Sequence, residues 1–434
     1  MLQIHWHSKT WFKLRFSGFT KVWESTRIGE IAEVVGGGTP KTEVGEYWNG
    51  EIKWFTPSEI GKTKYIFDSE RHISDNGLKN SSAKLLPKYT ILLSSRATVG
   101  EISIALTECS TNQGFQSLIT KNNVDNEFIY YLISTIKNEF LRRSSGSTFL
   151  EISKNEIKRI PINIPELSEQ NKISNLFSAI DNKIEMLEKK CQYYQDFKKY
   201  LMQRIFSSQD DKLRFDDNCQ YKTKQVKDFL IESKIEGIDD INKRLTVKLN
   251  LKGITVRESK TIEIEGATKQ FIRKTGQFIY GKQNLHKGAF GIIPKELDGY
   301  LTSSDIPSFD FKGGIEPKWF YYYFARKSFY EKLENLSTGT GSKRISPKEF
   351  LNIKIIVPEF KEQHKIVCLL EKFDEKINGI SNQIVQMNMF KKSLLQQMFV
   401  VRINWRCNFK LAKSSSFNKH LLILKNKIIF IIIK

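Results

Sequence analysis

Short catalytic signatures are what this 434-residue chain most conspicuously lacks. There is no His-Glu-x-x-His pair and no Asn-Pro-Pro-aromatic stretch of the kind amino-methyltransferases use. No Ser or Cys sits in a local nucleophile motif. Gly276-Gln277-Phe278-Ile279-Tyr280-Gly281-Lys282 approaches a phosphate-binding loop, but Gln283 stands where the magnesium-binding hydroxyl is needed. Its Phe-Ile-Tyr centre reads as a strand. Glu258-Ser259-Lys260 with Asp240 upstream is only an acid-x-Lys match, common in a lysine-rich chain, and reads as a solvated face. The six histidines are dispersed, and His72, His286 and His364 read as surface or core residues rather than ligands. The expectation is a chain without a catalytic centre and without a metal of its own.

Cysteine is sparse too. Cys109, Cys191, Cys219, Cys368 and Cys407 are odd in number and form no CxxC, which argues against a disulfide framework or zinc site and fits a reducing cytoplasm. Long apolar runs are missing. Lys9, Lys13 and Arg15 break any signal-peptide core. The terminal LLILKNKIIFIIIK falls short of the roughly 20 residues of a membrane span. Acidic residues are outnumbered 48 to 69, giving a net charge of +21 that favours an anionic partner, nucleic acid first and an anionic membrane second. Eight of the cations and no acid lie in residues 401–434, which read as an atypical basic and apolar tail, as read-through of AT-rich sequence would give.

What is present is a pair of long helices. From Ser168 to Phe206 an apolar seam recurs at spacings of three and four: Phe177, Ile180, Ile184, Leu187, Cys191, Tyr194, Lys198, Leu201, Ile205. No Pro or Gly interrupts it, and the period of 3.5 predicts a helix about 58 Å long burying one stripe against another helix. Pro165 lies just ahead, and Ser168 with Asn171 or Glu169 nearby predicts a capped start. The pattern returns 193 positions later (358 − 165): Pro358, Glu359, Glu362, Gln363, Lys365, Ile366, Leu369, Asp374, Lys376 and Ile377 repeat Pro165, Glu166, Glu169, Gln170, Lys172, Ile173, Leu176, Asp181, Lys183 and Ile184. The second seam is Leu370, Phe373, Ile377, Ile380, Ile384, Met387, Lys391, Leu394, Met398, with Lys391 breaking it where Lys198 broke the first. One polar seam position is a device for fixing register.

The repeat extends further. Lys13-Leu14-Arg15-Phe16 recurs as Lys212-Leu213-Arg214-Phe215, and each is followed by an apolar-alternating stretch, Arg27–Ile31 and Gln225–Phe229. The chain therefore reads as two units of about 200 residues, each a globular domain followed by a long helix. We divide it into a lead-in (1–23), a first domain (24–164), a central helix (165–207), a second domain (208–357), a C-terminal helix (358–400) and the tail (401–434). Predicted strands are Ile52–Phe55, Tyr89–Leu93, Ile102–Leu106, Gln116–Ile119 and Ile160–Ile164, then Arg244–Asn250, Thr261–Ile264, Gln277–Tyr280, Phe290–Ile293, Tyr300–Thr302 and Ile353–Val357. Predicted helices cover Asn126–Arg143 and Pro317–Leu336. The middles of the two units agree least.

With catalysis set aside, binding remains. Loops rich in Lys, Arg, Ser, Thr, Asn, Gln and aromatics suit DNA, with phosphate contacts for affinity and base-edge contacts for specificity. The candidates are Lys41, Trp54, Thr56, Ser58, Arg96, Thr98, Asn112 and Gln113 in the first domain. In the second they are Lys282, Asn284, Lys287, Ser303, Ser304, Lys343 and Arg344. Two domain–helix units with antiparallel helices give a pseudo-twofold molecule suited to two half-sites about a helical turn apart. Two other readings stay open: a free-standing DNA-binding regulator, and a coiled-coil scaffold whose charge only solvates it.

The stretches GGGTPKTEVGEYWNGEIKWFTPSEI, SSRATVGEISIA and STNQGFQSL resemble the first target-recognition domain of type I restriction–modification specificity subunits. KGAFGIIPKELDGYLTSSDIPSF resembles the second domain type. The twice-present Pro-Glu-x-x-Glu-Gln-x-x-Ile, followed by Asp-x-Lys-Ile, resembles that family's long helices, and LRFSGF before Trp23 a common family opening. The resemblance covers about residues 12–400. It implies an α+β fold with two α/β recognition domains, each followed by a helix, the helices pairing as an antiparallel coiled coil. It also implies a subunit without chemistry of its own, each domain reading one half of a split double-stranded DNA site and the helices setting the gap. Methyltransferase subunits, two by expectation, would dock on it and translocating restriction subunits would join. S-adenosylmethionine, ATP and magnesium would belong to those partners.

Overall fold

The computed structural model describes residues 2–7, 11–146, 150–207, 213–258, 268–337 and 344–399. The predicted strand Thr261–Ile264, the candidate Lys343 and the tail 401–434 lie outside the described residues. The chain divides into two compact units, Met1–Leu187 with Gln383–Lys434, and Glu188–Asn382. The two long helices, α1 (Leu167–Ile205) and α2 (Phe360–Phe399), are therefore each shared between units and are not segments of their own.

In the first unit the lead-in is a hairpin of Leu2–His7 with Trp11–Phe16. Glu24–Arg27 then pairs antiparallel with Pro161–Ile164, so the start and end of the domain meet. The apolar-alternating stretch Arg27–Ile31 forms a single helical turn, Ile28–Ile31, that buries Ile28 and Ile31. The main sheet runs in the order Ala32–Gly36, Gln116–Thr120, Ile91–Leu93, Ile102–Ala105, Tyr65–Ile66. Its central strand Ile91–Leu93 is buried on both faces. Ile91 and Leu93 enter the main core, while Leu92 packs with Phe55, Ile66, Cys109 and Phe115. A smaller sheet places Trp48–Phe55 between Cys109–Thr111 and Arg71–Ile73.

The single helix expected over Asn126–Arg143 is two helices, Asn126–Thr135 and Lys137–Arg143. Ile136 leaves helical geometry (φ −110°, ψ 20°), and the resulting bend lets Phe128, Ile129 and Phe140 all bury in one core. That core is completed by Phe177, Ile180 and Ile184 of α1 and by Leu394, Met398 and Phe399 of α2. Phe177 and Phe399 lie 5.9 Å apart between ring centres.

The second unit repeats the plan with different strands. Tyr221–Gln225 pairs with Lys354–Pro358. A four-stranded sheet runs Leu230–Ser233, Ser308–Phe311, Phe278–Tyr280, Phe290–Ile292. The helix expected over Pro317–Leu336 breaks after Phe324 and resumes as Lys327–Tyr330 and a 3₁₀ stretch, Glu331–Leu336. Its core is aromatic: Phe278, Tyr280, Phe290, Phe309, Trp319, Phe320, Phe324 and Phe350, with Ile205 and Phe206 from the end of α1 and Ile366, Val367 and Leu370 from the start of α2. Tyr194 and Phe197 meet Phe373 here, with ring centres 6.3 and 5.5 Å apart.

Within each unit the start of one long helix thus packs beside the end of the other, which is the antiparallel pairing the seams predict. In the second unit Lys198 Nζ lies 2.5 Å from Asp374, and seven residues back on α1 Cys191 meets Ser381, seven forward on α2. In the first unit Lys391 Nζ lies 2.5 Å from Asp181. The two aspartates, like the two lysines, are related by the 193-residue repeat, so one ion pair is made twice with the helices exchanging roles. A tyrosine from each globular domain donates to the same carboxylates, Tyr131 to Asp181 and Tyr322 to Asp374, both at 2.6 Å. Burial and the accepting carboxylate push both phenols far up, so both remain donors.

The repeated Pro-Glu-x-x-Glu-Gln motif fixes where each rod leaves its domain. The cap expected from Ser168 is not made; its hydroxyl donates to Glu166. Gln170 instead turns inward, donating to the Pro165 carbonyl (2.8 Å) and accepting from Asp125 N–H (2.9 Å). Gln363 does the same with Pro358 (3.0 Å) and Glu316 (2.8 Å). Glu169, fully buried, is gripped by both Arg15 nitrogens at 2.8 and 2.5 Å, whereas Glu362 accepts from Phe215 N–H at 2.8 Å.

Breaking a buried ion pair strands a charge, at a cost of about 3–5 kcal/mol. Arg15→Ala should therefore lower stability by roughly that amount in denaturant titration, and a change below about 1 kcal/mol would contradict this role. At the seam, Lys198→Asp should destabilise the second unit. Adding Asp374→Lys should recover most of the loss in a double-mutant thermal melt.

Candidate nucleic-acid interface

In the first unit the candidate loops stand together because backbone approaches fix them. Gly38 N–H donates to the Thr111 carbonyl at 2.8 Å, and Thr39 Oγ1 donates to Gln113 Oε1. A Cβ at Gly37 would sit 2.1 Å from the Asn112 carbonyl oxygen, and one at Gly38 2.3 Å from Ala83 N, so glycine is required by contact at these two positions. Asn112 N–H reaches Phe55 O (3.1 Å), which ties in the Thr56–Ser58 turn. Ser95 N–H reaches Gly114 O (2.8 Å), which ties in Arg96–Thr98.

On this platform Lys41, Ser58, Arg96, Thr98 and Gln113 are exposed. Arg96 pairs with Glu151 at 3.9 Å. Thr56 and Asn112 are half-buried and used locally. Thr56 donates to Glu59 (2.7 Å), and the Asn112 side-chain oxygen accepts from Gly114 N–H (2.8 Å).

Trp54 is a correction. It is 4% exposed and cannot reach DNA from there. Its indole donates to the Gly38 carbonyl (2.9 Å) while Trp48 donates to the Lys41 carbonyl (3.1 Å). The two rings meet edge to face at 5.1 Å, and the Arg71 guanidinium covers Trp48 at 3.6 Å. The tryptophans hold the glycine loop from beneath. The sequence signal was the Trp-x5-Trp spacing, which on a strand places the two rings on the same face.

In the second unit Lys282 N–H donates to the Asp305 carbonyl and Ile345 N–H to the Lys282 carbonyl, both at 2.9 Å. Arg344 pairs with Asp305 at 3.0 Å. Lys282, Ser303, Ser304 and Arg344 are so brought to one edge. Asn284 and Lys287 lie on the adjoining turn, where the Asn284 carbonyl accepts from Lys287 and Ala289. Lys287, Ser304 and Arg344 are exposed; Lys282, Asn284 and Ser303 are half-buried.

Sequence reasoning did not single out Arg273. It is 1% exposed and braces the sheet through Thr302 Oγ1 (2.6 Å), Ser308 Oγ (2.8 Å) and the carbonyls of Ser233 (3.2 Å) and Ile306 (3.0 Å). Burial lowers its pKa to about 10, so it is charged at neutral pH. No periodicity marks such a residue. No helix among the described residues is long and apolar enough to cross a membrane.

Known proteins place these observations. The specificity subunit of the type I restriction enzyme MjaIX of Methanocaldococcus jannaschii is 28% identical over 429 residues, covering 92% of this chain and 97% of that one. The EcoR124I/EcoR124II specificity subunit of Escherichia coli is 27% identical over 187 residues, 39% of this chain and 46% of that one. Among solved structures, the S subunit of a type I restriction–modification system from M. genitalium superposes with a TM-score of 0.54 at 15% identity, covering 89% of this chain and 99% of that one. A chain from a structure of the type I system in complex assembly and conformational transition gives 0.55 at 14%, covering 89% and 100%. Residues 20–192 and 220–387 each match the type I restriction modification DNA specificity domain, so the chain belongs to that family and carries its domain twice.

Proposed function

We propose that this chain is the non-catalytic DNA-recognition subunit of a type I restriction–modification complex, each domain reading one half of a bipartite site and the helix pair setting the gap. The observation that carries the reading is the duplication: two recognition domains, each with an exposed cationic and polar loop edge, each seated on the same Lys–Asp–Tyr cluster of the helices. A positive loop edge supplies phosphate affinity, and the interspersed amides and hydroxyls can address base edges. The loops differ between domains, so the half-sites differ in sequence. The partners are methyltransferase subunits, two by the internal repeat, and restriction subunits. S-adenosylmethionine, ATP and magnesium are bound by those partners, in the cytoplasm.

Three outcomes test this. Deleting one heptad from each helix, with domains intact, should shorten the spacer in the methylated sequence and leave both half-sites unchanged. Altered half-sites with a constant spacer would refute the division of labour. Methylome sequencing of a strain expressing the variant with its partners reads the result. Gln113→Ala should relax specificity in one half-site by about 1–3 kcal/mol if it reads a base edge, measured by competition between duplexes. Arg344→Ala should weaken all duplexes alike and reduce the salt slope by about one.

A further inference from the structure

We infer that the second recognition domain carries a dedicated seat for a DNA backbone phosphate, a cleft formed by Lys282 and Lys348 in front of the buried Arg273. This rests on the DNA-recognition reading above and adds a specific site to it.

The cleft has a volume of about 500 Å³ and is lined by Glu232, Lys234, Arg273, Lys282, Ser304 and Lys348 among others. Its charge does not balance from within. Glu232 is the one acid on the wall and is already paired with Lys234 at 3.0 Å. Arg273 spends its fork on two hydroxyls and two carbonyls, all neutral, and the carboxylate that supports its charge, Glu232, is shared with Lys234. No ion pair joins Lys282 or Lys348 to an acid among the described residues. The wall thus sets four cations, Lys234, Arg273, Lys282 and Lys348, against the one carboxylate of Glu232, an excess of positive charge that an anion at the opening would offset.

The position favours nucleic acid. Lys282 and Ser304 belong to the same loop edge as Ser303 and Arg344, so a strand crossing that edge passes the mouth of the cleft. The chemistry fits a phosphodiester: point-charge ammonium groups around a singly charged oxyanion, with the Ser304 hydroxyl beside them. No Asn or Gln among the described residues lines the cleft, so its wall carries no side-chain amide to pair with a base edge. Arg273 supplies field from behind and ties Ser233, Thr302, Ile306 and Ser308 together beneath the cleft. It is a positioning residue, and Lys282 and Lys348 make the contacts.

The test uses the full subunit assembled with its partner subunits. Duplexes bearing the recognised site are titrated across salt, and single phosphates are replaced by neutral methylphosphonates along each half-site. The expected result is that Lys282→Ala with Lys348→Ala flattens the log K against log salt slope by about two and leaves the methylated sequence unchanged. One methylphosphonate position, confined to one half-site, should weaken the wild type and be silent in the double variant. An unchanged slope, or a double variant as sensitive as wild type at every position, would overturn the seat. A changed half-site sequence would make these lysines base readers and overturn it too. If millimolar inorganic phosphate removes the lysine-dependent affinity with every methylphosphonate silent, the cleft holds a free anion and the proposal fails. A wild type that binds no duplex sinks the recognition reading itself, a separate outcome.

Discussion

A lysine set in an apolar helix seam must find a carboxylate, and here it finds one twice. Lys198 and Lys391 each occupy a seam otherwise made of Phe, Ile, Leu, Met, Cys and Tyr, and pair with Asp374 and Asp181 from its flank. Sliding either helix by one turn would place an ammonium against hydrocarbon, several kcal/mol unfavourable. The pairing therefore selects one register among the many that an apolar seam alone would tolerate. Tyr131 and Tyr322 extend the selection to the domains, because each phenol uses the carboxylate that the lysine has fixed. Helix register and domain seating are set by one cluster in each unit.

Beyond that cluster the two seatings differ. In the first unit Lys64 bridges Glu127, Tyr131 and Ser178 at 2.7–3.0 Å. Burial would raise the Glu127 carboxyl, but hydrogen bonds from Lys64, Ser178 and Tyr65 outweigh it and hold its pKa below the ordinary value. In the second unit the recognition helix presents Lys318, and the long helix answers with Glu371. The first domain thus brings a Lys–Glu pair of its own to a serine of α1, whereas the second domain answers a carboxylate of α2 with a lysine.

The long helices and their repeat were plain in the sequence because a seam at spacings of three and four is a long-range periodic signal. The seam residues Phe177, Ile180, Leu370 and Ile380 are buried as that period requires. The lysine breaks were visible as well, but not their partners. Asp181 and Asp374 are half-buried flank residues whose role depends on the antiparallel register. The helix breaks at Ile136 and after Phe324 were not legible, since neither Gly nor Pro marks them and the bend is imposed by packing. Trp54 misled because an aromatic in a polar stretch suits stacking on a base as well as it suits a strand face. Only the strand pairing of Trp48–Phe55 decides. Arg273 was invisible for a similar reason: its partners, Ser233 and the stretch Thr302–Ser308, are remote from it in sequence.

The indole-anchored glycine loop separates what must stay constant from what can drift. Trp48 and Trp54 grip main-chain carbonyls, and the glycines are confined by main-chain atoms of Asn112 and Ala83. None of that grip depends on the identity of the outward side chains at Lys41 or Ser58, whereas the Gln113 side chain also accepts from Thr39. Lys41 and Ser58 can therefore change without disturbing the scaffold beneath, so the outer face of the loop is free to vary while its backbone is held.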